Sequence, residues 1–129
     1  MIGPLTFEQF ATVLGNLDVV LSAELRNDTI YGEFAAEDGR TQLFLVRDDP
    51  ERKLYVILSP FARKDAISAE AAWQLTENVT WGARLFADMY CFIRTIPYGC
   101  DAETVAEAVG FLVGFADSVE RSLTGNDDV

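Results

Sequence analysis

Apolar residues recur at helical spacing near the start of the chain, where Phe7, Phe10, Leu14 and Leu17 fall on one stripe. Thr6-Phe7-Glu8-Gln9 is a capping-box pattern with Thr6 as cap and Gln9 reaching back, and Leu5 with Phe10 fits a hydrophobic staple. Gly15-Asn16 supplies the stop. The period then changes to two. Val19, Leu21, Ala23 and Leu25 alternate with Val20, Ser22, Glu24 and Arg26, the pattern of a half-buried strand. Asn27-Asp28 turns the chain into a second strand, Thr29 to Ala35. Glu37-Asp38-Gly39-Arg40 holds the Asp-Gly pair favoured in type I′ turns and leads into a third strand, Thr41 to Arg47. Beyond the charged, proline-containing loop 48–53 a fourth strand covers Leu54 to Leu58. Ser59-Pro60 ends it, because proline cannot donate to a sheet ladder.

Strands three and four are apolar on both faces, Phe44 and Val46 against Leu43 and Leu45, so each face needs a cover. Helices supply one and a partner the other. Ser68-Ala69-Glu70 opens a second helix that runs to about Asn78 and carries Trp73 towards the core. Two strands follow, through Trp81 to Ala87 and Tyr90 to Pro97, turned around Asp88-Met89. Asp101-Ala102-Glu103-Thr104 opens the last helix, whose buried stripe is Val105, Ala108, Leu112, Phe115, Val119 and Leu123. The predicted fold is α+β: an antiparallel sheet of five or six strands with helices at the N-terminus, middle and C-terminus. It forms a single domain over residues 1–124, followed by a frayed acidic tail, 125–129.

Composition narrows the function. The 129 residues suffice for one core, and 21 acidic against 10 basic residues give a net charge of -11, which disfavours nucleic acid and anionic membrane as partners. Histidine is absent, and with it Ser-His and Cys-His nucleophile activation and His metal ligands. No apolar run is long enough to span a bilayer and no basic leader precedes a hydrophobic segment, so a cytoplasmic setting is expected. Cys91 and Cys100 are expected to be reduced and structural; Cys100 has an alternative, a thiol pKa lowered by the helix that follows it.

The acidic residues offer a rival reading, a small enzyme or a metal or ligand sensor. Asp48, Asp49 and Glu51 cluster in one loop as oxygen donors for a hard cation, although a solvated turn accounts for them and EF-hand spacing is missing. Glu24 and Glu33 could face each other across the first hairpin as a carboxylate pair, and Arg40, Arg84 or Arg94 could bind an anion unless nearby carboxylates claim them. No catalytic residue, cofactor or metal site is assigned. Among the aromatic residues Trp81 stands out, because an exposed indole there beside Tyr90 or Phe92 would mark a binding face. In the last helix, Gly110 and Gly114 sit four apart around Phe111. They leave a bare strip that packs either on the chain's own sheet or on the helix of a second subunit.

The hairpin Ala83-Arg84-Leu85-Phe86-Ala87-Asp88-Met89-Tyr90-Cys91-Phe92-Ile93-Arg94 carries a family resemblance. So do Asn78, Ser59-Pro60-Phe61-Ala62, the opening Asp101-Ala102-Glu103-Thr104-Val105 of the last helix, and Phe115-Ala116-Asp117. In these features the chain resembles the YbjN-like family and, more distantly, the type III secretion chaperones. The resemblance implies a small acidic homodimer that binds a protein or peptide client without chemistry, or a bacterial regulatory protein.

Overall fold

The computed structural model describes residues 6–36, 39–77 and 82–124. Leu5, the turn pair Glu37-Asp38, Asn78, Trp81 and the tail 125–129 lie outside them. Helix α1 (Phe7–Gly15) precedes strands β1 (Val20–Arg26), β2 (Thr29–Ala35), β3 (Thr41–Asp49) and β4 (Leu54–Arg63). Helix α2 (Ala69–Gln74), strands β5 (Gly82–Phe86) and β6 (Met89–Pro97), and helix α3 (Ala102–Thr124) follow. The six strands form one antiparallel sheet in the order β1-β2-β3-β4-β6-β5, with the helices at the N-terminus, middle and C-terminus, as the patterning predicts.

Local chemistry sets the boundaries. The capping box forms: the Gln9 amide donates to Thr6 Oγ1 at 3.1 Å and the Thr6 amide donates to Gln9 Oε1 at 2.9 Å. Asn27 takes φ 56° in the first hairpin turn and Gly39 takes φ 75° before β3. The fifth and sixth strands turn one residue earlier than expected, on Ala87-Asp88, with Ala87 at φ 54° and Met89 already in β6.

The core lies on one side of the sheet. Ile30, Phe44, Val46, Tyr55, Ile57, Phe61, Phe92 and Ile96 point to that side and meet Phe10 and Leu14 of α1 and Val105, Val109, Leu112, Val113 and Ala116 of α3. Phe10 stacks on Tyr55 with ring centroids 3.9 Å apart. Phe61 stacks on Phe92 at the same separation, with Phe115 tilted against Phe92 at 4.9 Å. Burial of each such ring contributes about 1.5–3 kcal/mol. The buried stripe of α3 ends at Val119; Leu123, expected on it, is exposed one turn further on.

Three strand and helix assignments need correction. In β1 a bulge between Val20 and Ser22 shifts the phase, so Val20 points inward while Val19 and Leu21 are exposed, and only Ala23 and Leu25 keep the expected face. Strand β4 runs through Ser59-Pro60 to Arg63. Its ladder with β3 stops at Leu45↔Leu58, and it bulges between Pro60 and Ala62, where an imino acid is tolerated. Side chains replace the lost ladder: Ser59 Oγ donates to the Leu43 carbonyl at 2.7 Å, and Gln42 Nε2 donates to the Pro60 carbonyl at 2.6 Å. The bulge also puts two consecutive residues, Phe61 and Ala62, into the core. Lastly, α2 is short and the small Ala72 takes its inward position, which leaves Trp73 61% exposed against Gly82 at the sheet margin.

Arg40, at the entry to β3, donates from Nη2 to Asp117 Oδ2 of α3 at 2.9 Å, and both side chains are nearly buried. Asp117→Ala removes this charge-assisted hydrogen bond and should lower unfolding stability in urea by about 1.5–3 kcal/mol. Gly32 lies under the Phe44 ring, which a methyl group would strike, and Phe44 is fully enclosed. Gly32→Ala should therefore cost about 1–3 kcal/mol by the same measurement.

Candidate binding faces

Cross-strand register assembles a single row on the side of the sheet away from the core. Glu24, Tyr31, Leu45, Leu58, Ile93 and Gly82 succeed one another across all six strands. None of them belongs to the core cluster. Tyr31 is exposed, Leu43 beside the row is 56% exposed, Leu45, Val56 and Ile93 are half-buried, and Leu58 is enclosed with Cys91 by neighbours on this face. The helices contribute to the opposite side, where their buried residues meet the core. The second face is thus largely free of the described helices, with the Trp73 ring of α2 reaching it at Gly82 beside Ile93.

Charged groups frame this face. Arg26 pairs with Glu24 at 3.1 Å and lies 5.4 Å from the Tyr31 ring centre. The Arg47 guanidinium lies 6.0 Å from the Phe86 ring centre. Glu24 and Glu33 are not opposite each other, because Glu24 pairs in register with Tyr31 and Glu33 with Ser22. That removes the carboxylate dyad.

Two of the three acidic residues of the loop have partners. Asp49 accepts from the Arg52 amide and faces its guanidinium at 3.5 Å, while Asp48 accepts a short hydrogen bond from the Tyr98 hydroxyl. Among the described residues, no group of three or more His, Cys, Asp or Glu side chains is placed to hold a metal ion. Arg40 is claimed by Asp117, as carboxylate pairing predicts. Burial pushes the Cys91 thiol up to about 11. The Cys100 thiol is also raised, by burial first and then by the Asp101 carboxylate. Both causes act against a thiol lowered by the helix that follows it.

The residues singled out from sequence separate into three groups. Phe92 is fully buried in the aromatic stack and is unavailable to a partner, and Trp81 lies outside the described residues. Tyr90 is half-buried beside a different exposed indole, Trp73, across an apolar cleft. In α3, Phe111 is 64% exposed. Gly110 is half-buried and a methyl group there would lie 3.9 Å from Phe34 of β2, whereas among the described residues nothing lies within 4 Å of one on Gly114. The strip thus meets the chain's own sheet at Gly110 and is open at Gly114.

Neither a family model nor a curated protein matches the chain, so the arrangement itself carries the functional argument. It defines a class: an α+β domain with a six-stranded antiparallel open sheet clad by helices on one side only. Among the described residues no helix is long and apolar enough to cross a membrane.

The Tyr98 hydroxyl is pushed up to about 12, by burial first and then by its hydrogen bond to Asp48. Its unfolded value is about 10, so the folded state holds this proton more tightly. The contribution is complete below about pH 10 and is lost as pH rises from 10 towards 12. Tyr98→Phe should flatten the fall of the urea midpoint over that window; Tyr55, also raised by burial, leaves a residual slope.

Proposed function

We propose that the chain is a non-catalytic protein-binding module, chaperone-like or regulatory, that acts as a cytoplasmic homodimer and engages polypeptide through the helix-free face of its sheet. The observation that carries this reading is the apolar row Tyr31, Leu45, Leu58 and Ile93 with exposed Leu43 beside it. Contiguous apolar surface of this kind marks interaction sites in folded domains. Of the carboxylates that could have served an enzyme or a metal sensor, Asp48 accepts from Tyr98, Asp49 pairs with Arg52 and Glu24 with Arg26. A surplus of charge on the rest of the surface keeps such a face in solution. Phe111, standing clear of α3 between two glycines, suits the subunit contact, since a partner helix can approach a strip without side chains closely.

Light scattering tests the assembly. The expected mass is that of two 14.3 kDa chains at micromolar concentration, returning to one chain in Phe111→Ser with the melting temperature nearly unchanged. A single-chain mass at every concentration refutes the dimer. For the binding face, polypeptides that co-purify with the protein should be lost from Tyr31→Glu with Leu43→Glu and retained by Asp49→Ala, whose stability should change by less than about 1 kcal/mol. Retention by the double variant refutes the face.

A further inference from the structure

The apolar row on the helix-free side of the sheet ends at Gly82, where it meets an indole. A Cβ on Gly82 would lie 3.4 Å from Cζ3 and 3.6 Å from Cη2 of Trp73, and 3.7 Å from Cγ2 of Ile93. The benzo edge of Trp73 therefore rests at the end of the row, while the residue as a whole is 61% exposed. Two clefts adjoin it. The one towards β5, about 320 Å³, is walled by Ala72, Ala83, Leu85 and Tyr90, with Arg84 as its single charged group. The other, about 390 Å³, lies along α2 and the turn after it and is lined by Glu70, Gln74, Thr76 and Glu77 beside Trp73, with no basic residue. The Thr76 and Glu77 amides donate to the carbonyls of Trp73 and Gln74 at 3.0 and 3.2 Å, which carries the helical path one turn beyond α2 and keeps Glu77 beside the indole. Glu70 and Glu77 are exposed, and neither makes an ion pair with a described residue. Arg26 and Arg47 lie over the rings of Tyr31 and Phe86, whereas among the described residues no cation lies over Trp73.

We propose that this corner takes up an arginine side chain of the polypeptide partner, its guanidinium stacked on Trp73 and paired with Glu70 and Glu77. This rests on the protein-binding reading above and names the chemistry at one end of the bound segment. A segment lying along Tyr31, Leu45, Leu58 and Ile93 arrives at Gly82, and so at the indole. Tryptophan is the aromatic side chain that attracts a cation most strongly. Arginine suits the site better than lysine, because its planar fork stacks on a ring and still presents donors to carboxylates at its edge. Glu70 and Glu77 repel an acidic residue, and the net charge of -11 draws basic segments towards the whole molecule. Arg84 keeps a second cation out of the neighbouring cleft, whose alanine, leucine and tyrosine walls take an apolar side chain instead. The partner therefore carries an arginine next to apolar residues.

NMR of the full chain, following the indole N–H signal that Trp73→Phe removes, is the test. The probes are blocked pentapeptides Ser-Leu-Xaa-Leu-Ser in which the central residue is arginine, its neutral isostere citrulline, or glutamate. The arginine peptide should shift the Trp73 signal and bind about threefold or more tightly than the citrulline peptide at low salt, with glutamate weakest and the margin shrinking as salt rises. Glu70→Gln with Glu77→Gln, two exposed changes, should leave the melting temperature nearly unchanged and bring the arginine and citrulline peptides to about equal affinity. Equal binding of those two peptides to the wild-type protein overturns the proposal, as does an arginine preference that survives the double glutamine variant. Shifts at Tyr31, Leu43 and Leu45 with the Trp73 signal unmoved overturn it while leaving the protein-binding reading intact. Silence towards all three peptides at millimolar concentration overturns it too, and takes that reading with it only where the Tyr31→Glu, Leu43→Glu variant also retains the co-purifying polypeptides.

Discussion

The stack of Phe61, Phe92 and Phe115 is the contact on which both the sheet and α3 depend. Phe61 belongs to β4, Phe92 to β6 and Phe115 to α3, so three elements distant in sequence are fixed by one group of rings. The β4 bulge serves the same contact, because it brings Ala62 to the core side next to Phe61 and bends the strand beneath the helix. At the other end Phe10, Tyr55 and Tyr98 play the equivalent part for α1. With both ends closed by aromatic rings, one sheet face is saturated by two helices, and the second has none left to cover it.

That asymmetry joins fold to function. Apolar side chains at alternate positions of β3 and β4 are surplus to the core, yet they recur in register with Tyr31 on one side and Ile93 on the other. The charged residues close to them pair locally or lie over rings, as Arg26 does with Glu24 and Tyr31 and Arg47 with Phe86. The face is thus apolar with a charged frame, as the proposed contact with polypeptide requires.

Much of the architecture is legible from periodicity. The capping box, the Asn27 turn and the stripe of α3 as far as Val119 each rest on contacts within a few residues or on one repeated spacing, and these formed as read. What escaped depends on neighbours far away in sequence. Pro60 looks like a strand end until β3 is seen to have already parted from β4. Trp73 and Phe92 exchange roles because an aromatic residue in a short segment carries no mark of which face it takes; the smallness of Ala72 and the meeting with Phe61 and Phe115 decide it. The glycines around Phe111 were visible as a helix-propensity cost, but the sequence could not say that Gly110 meets Phe34 while Gly114 faces open space among the described residues. That β5 is marginal could not be read at all, since the order β4-β6-β5 is set by a crossover and not by local pattern.

The parting of β3 from β4 has a consequence for motion. Five register pairs, from Leu45↔Leu58 to Asp49↔Leu54, are all the ladder that ties the β1-β2-β3 meander to the β4-β6-β5 group. Beyond them Gln42 and Ser59 span the gap with side-chain bonds, which reorganise without breaking a cooperative ladder. The sheet is therefore built as two panels on a partial hinge, with Arg40–Asp117 and α3 clamping the free ends of the seam. Such a joint lets the curvature of the apolar face change while the core stays closed.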